Sequence, residues 1–131
     1  MKEELFMNRK TFFVGLAILA LLWPLATFVQ AHMKIEKTQP ADGTTVSAAP
    51  TSIQLFVTEK PDLAVTKVGL SGPSGKVELG PAHAMGEKTI MAAITGTMVD
   101  GKYAVDWQTA GDDGHVQKGA FTFTLTLKKG E

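Results

Sequence analysis

The chain has 131 residues, with thirteen Lys/Arg against thirteen Asp/Glu, three His and no Cys. That balance supplies no basic face for a nucleic-acid partner, and the lack of thiols excludes disulfides, a lipidated cysteine anchor and thiolate metal sites. Nitrogen, oxygen and thioether donors remain for any metal.

Residues 1–31 read as a secretory signal peptide. Lys2, Arg9 and Lys10 make the start basic, an apolar run extends from Phe12 to Trp23, and Val29-Gln30-Ala31 is a small-residue cleavage site. The run is short for a membrane span and Pro24 interrupts its end, so cleavage is expected over the alternative of an uncleaved signal anchor. Residues 32–131 then form the mature chain, with ten Lys/Arg against eleven Asp/Glu, a size suited to one small domain. No second stretch is long enough to cross a bilayer. The expected destination is the periplasm or its equivalent. Cleavage after Ala31 would make His32 the amino terminus, pairing a free α-amine with its imidazole.

Strands and turns fill the rest. A short strand is expected at 33–38, followed by the turn Pro40-Ala41-Asp42-Gly43. Residues 52–57 alternate Ile53, Leu55 and Val57 against Phe56, and short strands follow at 65–70, 75–79 and 89–94. In 101–109, Tyr103, Val105 and Trp107 share a face opposite Ala104, Asp106 and Gln108. After Asp112-Asp113-Gly114, the last segment alternates Phe121, Phe123, Leu125 and Leu127 with Ala120, Thr122, Thr124 and Thr126. A slip of one residue there would turn the apolar row to water, so its register should be firm. No helical stripe competes. About seven strands in this length predict an all-β fold, a two-sheet Greek-key β-sandwich or small barrel of immunoglobulin-like type.

The chemistry concentrates at two ends of the mature chain. Asp113 and His115 are two apart, so a locally extended stretch points both to one side, with Gly114 allowing close backbone approach. Together with His32 they offer an amine, two imidazoles and a carboxylate. A tetragonal N,O set of this kind suits Cu(II) best, although Zn(II) accepts the same donors tetrahedrally. Before cleavage the nitrogen of His32 is a non-basic amide. Afterwards it is an amine from which a metal can displace a proton, so export would switch the site on. Against this stand plainer readings: a Gly-His beside a turn is commonly a solvated loop residue, and an Asp-Gly step is ordinary turn chemistry.

Three stretches resemble the CopC family of periplasmic copper-resistance and copper-handling proteins. They are His32 with Thr38-Gln39-Pro40-Ala41-Asp42-Gly43; Ile53-Gln54-Leu55-Phe56-Val57-Thr58-Glu59; and Tyr103-Ala104-Val105-Asp106-Trp107 leading to Asp113-Gly114-His115, Gly119 and Phe121-Thr122-Phe123. The resemblance implies a β-sandwich with one Cu(II) at one end, held by His32, Asp113 and His115, and with Glu59 as a neighbour that orients a ligand or water. A plainer reading of Glu59 is a surface carboxylate at a strand end. The resemblance also implies a CopD-like inner-membrane copper transporter as partner.

This chain departs from the family in its middle. Some members carry a methionine-rich Cu(I) site there, whereas here only His83 and Met85 stand close together, with Met91 and Met98 scattered. His83 and Met85 are weak Cu(I) candidates and no Cu(I) site is expected, since scattered methionines usually fill cores. Met33 is a candidate only for shielding the metal. Val116 stands where proline is common in the family, and Gln108 where arginine is common.

The leading expectation is an exported carrier or buffer of copper and not an enzyme, since no Ser-His-Asp set, paired-carboxylate motif or phosphate loop is present. The alternative is a small redox enzyme of the monooxygenase type, which also uses an amino-terminal His with a second His on a β-sandwich. A hundred residues leave that reading little room for a substrate platform. The third reading is a metal-free sandwich module for protein contact.

Overall fold

The computed structural model describes residues 32–129. The expected leader, residues 1–31, lies outside them. Nine strands form: β1 (Ile35–Gln39), β2 (Thr45–Val46), β3 (Ser52–Val57), β4 (Lys67–Gly72), β5 (Gly75–Val77), β6 (His83–Ala84), β7 (Thr89–Ala93), β8 (Gly101–Ala110) and β9 (Val116–Leu125). They make a four-stranded sheet in the order β1-β3-β7-β6 and a five-stranded sheet in the order β2-β9-β8-β4-β5. No helix forms among the described residues. The architecture is the expected β-sandwich.

Alternation builds the interior. Ile53, Leu55 and Val57 of β3, with Ile90 and Ala92 of β7, are the buried face of the first sheet. Leu70, Val77, Tyr103, Val105, Phe121, Phe123 and Leu125 supply the facing layer. Tyr103 stacks on Phe123 at 5.3 Å between ring centroids. Its hydroxyl accepts from the Val99 N–H at 2.8 Å and donates to the Val99 carbonyl at 2.7 Å, so its polar end is satisfied inside the core.

Several boundaries differ from those expected. β4 starts at Lys67, because the amides of Val65 and Thr66 donate to the carbonyls of Asp62 and Leu63 in a turn. β9 begins at Val116, paired with Ala110, well before the apolar row. It ends at Leu125, which leaves Leu127 exposed and outside the core. β2 and β6 were not expected. The first runs parallel to β9, pairing Thr45 with Thr124 and Val46 with Leu125, and the second borders β7.

One end of the sandwich gathers the segments that matter. The start of β1 lies beside the end of β3, where the Thr58 N–H donates to the Lys34 carbonyl and the Lys34 N–H donates to Thr58 Oγ1, both at 3.0 Å. The hairpin linking β8 to β9 turns at the same end, after its last pair, Ala110 with Val116.

Candidate metal centre

Residues 111–115 connect β8 to β9. The Gly114 N–H donates to the Gly111 carbonyl at 3.0 Å, and the Asp113 Oδ1 accepts the His115 N–H at 3.0 Å. The stretch is therefore a tight turn with an Asp side chain bonded two residues ahead, not the extended segment expected from its spacing. Gly114 serves differently as well. Its φ is +72° and a Cβ there would meet nothing within 4 Å, so it supplies a left-handed turn residue and not a close approach.

That turn presents the side chains of Asp113 and His115 to the amino-terminal segment. His32 Nδ1 lies 2.7 Å from Asp113 Oδ2, His115 Nδ1 lies 3.3 Å from the same oxygen, and the two Nδ1 atoms are 3.3 Å apart. The imidazoles meet edge to face, at 4.9 Å between centroids. Both rings are largely open to solvent, with side-chain exposures of 51% and 67%, while the carboxylate between them is 3% exposed. The hydrogen bond from His32 and the backbone N–H of His115 hold the Asp113 carboxyl below the usual carboxylate range, against the opposing effect of burial. It stays an anion and an acceptor. Among the described residues this is the one cluster of three His, Asp or Glu whose ligand atoms all lie within 4.8 Å of one another.

The spacing fits an ion. Donors at about 2.0 Å from a metal sit roughly 2.8 Å apart at a right angle and roughly 3.3 Å apart at the tetrahedral angle. The observed 2.7 and 3.3 Å separations span both geometries.

Glu59 stands at the same end, just past β3. Its carboxyl packs onto Gly111, where an added Cβ would overlap Oε1, and that oxygen is buried with no hydrogen-bond partner among the described residues. Glu59 is thus not the solvated strand-end carboxylate of its plainer reading. Gly111 was not singled out in the sequence, because nothing in a Gly-Asp-Asp-Gly turn announces a distant carboxyl needing the space of a side chain. Gly111→Ala is expected to cost about 1–3 kcal/mol by overpacking, read as a lower midpoint in thermal melting. The Gly111→Ala, Glu59→Ala double variant should recover most of the loss.

His83 and Met85 lie elsewhere. β6 is the sheet edge opposite β1, with β3 and β7 between them, a lateral separation of about 14 Å at ordinary strand spacing. His83 Nδ1 sits 3.2 Å from the Pro81 carbonyl, and Met85 is half-exposed. The register sets Met91 across from His83, while Met98 packs against the core. Met33 is buried at 4% within the core cluster.

Comparison with known proteins decides the lineage. The CopC domain model matches residues 35–126. The chain belongs to the CopC family. Among CopC relatives, Copper resistance protein C of Xanthomonas campestris pv. juglandis is 31% identical over 103 residues, covering 72% of this chain and 80% of that protein. Protein YobA of Escherichia coli (strain K12) is 29% identical over 100 residues, covering 74% and 81%. Of solved CopC-type structures, PcoC, a methionine-rich copper resistance protein from Escherichia coli, superposes with a TM-score of 0.66 at 26% identity. That match covers 73% of this chain and all of PcoC. CopC from Methylosinus trichosporium OB3b superposes with a TM-score of 0.67 at 18% identity, over 76% of this chain and 99% of that one, and shares the fold.

Proposed function

We propose that this CopC-family protein is an exported copper carrier or buffer that binds one Cu(II) through His32, Asp113 and His115. Cleavage after Ala31 adds the His32 α-amine as a fourth donor. The observation that carries this reading is the convergence of His32 with Asp113 across 81 residues of sequence, at 2.7 Å, with His115 beside them. Three nitrogens and one carboxylate oxygen form a donor set that favours Cu(II) at the top of the divalent affinity order. The open faces of both imidazoles suit a cargo ion that must enter and leave, and are unlike a closed structural site.

Glu59 completes the proposal. A buried carboxylate oxygen without a partner is costly. The freed α-amine of His32 or a copper-bound water would supply the missing donor, and Glu59 would then orient that group. His83 and Met85 take no part, and copper in this protein is held as Cu(II) and not as Cu(I). Copper then passes to or from an inner-membrane transporter of the CopD type.

A competition titration of the processed chain with Cu(II) and Zn(II) tests the reading. One equivalent of Cu(II) should bind at least tenfold tighter than Zn(II); stronger Zn(II) binding, or none of either, would sink it. Oxygen consumption by the copper-loaded protein with ascorbate, yielding an oxidised glycan, would favour the monooxygenase-like alternative. The anionic Asp113 ligand favours resting Cu(II) and predicts no such turnover.

A further inference from the structure

The segment entering β1 is fastened at three successive residues by three different means. His32 reaches Asp113, Met33 is buried in the core, and Lys34 exchanges two hydrogen bonds with Thr58. Chain ends stay mobile unless tied down. His32 cannot tie itself, because half of its side chain is in solvent and its close polar partners, Asp113 and His115, are groups that the metal would claim. The Lys34–Thr58 bonds act two residues away and leave the intervening backbone free to turn.

We propose that Met33 is the positioning residue of the site: its side chain, seated among the core residues, locks the backbone that carries His32 against the Asp113–His115 turn. This rests on the Cu(II) reading of the site. The unbranched thioether side chain of Met33 packs within the core cluster without offering a charge or a strong hydrogen-bonding group to the core. The burial fixes Met33, and one peptide unit separates it from His32. Ligand preorganisation is thereby supplied by an apolar contact, in a metal-free chain as much as in a loaded one.

The test uses the processed chain, its Met33→Ala and Met33→Leu variants, and Leu125→Ala as a control. Leu125 is fully buried at the opposite end of the sandwich, paired with Gly101. Two quantities are read: Cu(II) affinity by competition titration, and amide hydrogen exchange at Lys34 in the metal-free protein. Met33→Ala should weaken Cu(II) about 10–100-fold, the range seen when groups supporting a ligand are removed, with the paramagnetic signal at saturation unchanged. Exchange at Lys34 should quicken at least tenfold more than that at Leu55, which reports only the global loss of stability from truncating a core side chain. Met33→Leu should restore both to within about threefold, since size and burial are kept. Leu125→Ala should lower the thermal midpoint yet leave copper affinity intact.

Unchanged affinity in Met33→Ala, or an equal loss in Leu125→Ala, overturns the proposal. Should Met33→Ala not fold, Met33→Val must show the same effects in smaller degree. If the wild-type chain binds no copper, the Cu(II) reading fails by itself, and exchange at Lys34 still decides whether Met33 anchors the segment.

Discussion

Acetylating the α-amine of the chain processed after Ala31 is expected to weaken Cu(II) binding at least about 100-fold, or roughly 2.7 kcal/mol. In the proposed site the amine and Nδ1 of one histidine would close a small chelate ring on the metal, so once the imidazole is bound the amine would arrive at almost no further entropic cost. An acetyl group turns that donor into an amide and leaves length and fold alone. Chemical blocking is a cleaner test than adding a residue before His32, because an added residue brings its own amine and can form a new chelate. Isothermal or competition titration of blocked and unblocked chains measures the effect. Equal affinities would remove the amino-terminal donor from the account, and with it the idea that export switches the site on.

The second large effect is expected at Asp113. Asp113→Asn should lower Cu(II) affinity at least about 100-fold while leaving the turn folded, because an amide oxygen can still accept the His115 N–H that the carboxylate accepts at 3.0 Å. The loss would isolate the charge, which lies against His32 at a position only 3% exposed and little screened by water. His115→Ala should lose a comparable amount by removing a nitrogen donor. His83→Ala and Met85→Ala should bind within about threefold of the parent chain, as β6 lies across the sheet from β1. Direct titration checks all four, and loss of Cu(II) binding in the His83 or Met85 variant would relocate the site.

Acid should release the metal in a defined order. In the proposed site copper would have to displace protons from its nitrogen donors, so affinity is expected to fall as pH drops from about 8 to about 5. Asp113 behaves differently. Its carboxyl is held below the usual range by His32 and the His115 N–H, so it remains ionised throughout that window. The stabilisation it gives the metal-free fold is present above the unfolded carboxylate value near ~3.9 and lost only as pH falls through its lower folded value. Copper release at pH 5–6 without unfolding, followed together by absorbance and circular dichroism, is the expected result.

The sandwich was legible wherever burial imposes a period of two. Residues 52–57 and 101–109 match β3 and β8 almost residue for residue because each has one face on the core. β2 and β6 left no trace, since two residues cannot show a period. The first half of β9 was hidden for another reason. Residues 116–120 pair with β8 while remaining mostly exposed, so pairing there carries no apolar signature. At the site, the meeting of His32 with Asp113 and His115 could be anticipated from residue types and from resemblance. The support around it could not. The Glu59–Gly111 contact joins two loops and the burial of Met33 depends on how both sheets close, and neither follows from local pattern.

Electron paramagnetic resonance of the processed chain with one equivalent of Cu(II) tests the central claim most directly. A single axial signal is predicted, saturating at one copper per chain, with hyperfine structure from three nitrogens that simplifies by one nitrogen in His115→Ala and by one on acetylation. A signal without nitrogen coupling, or one unchanged by both alterations, would contradict it.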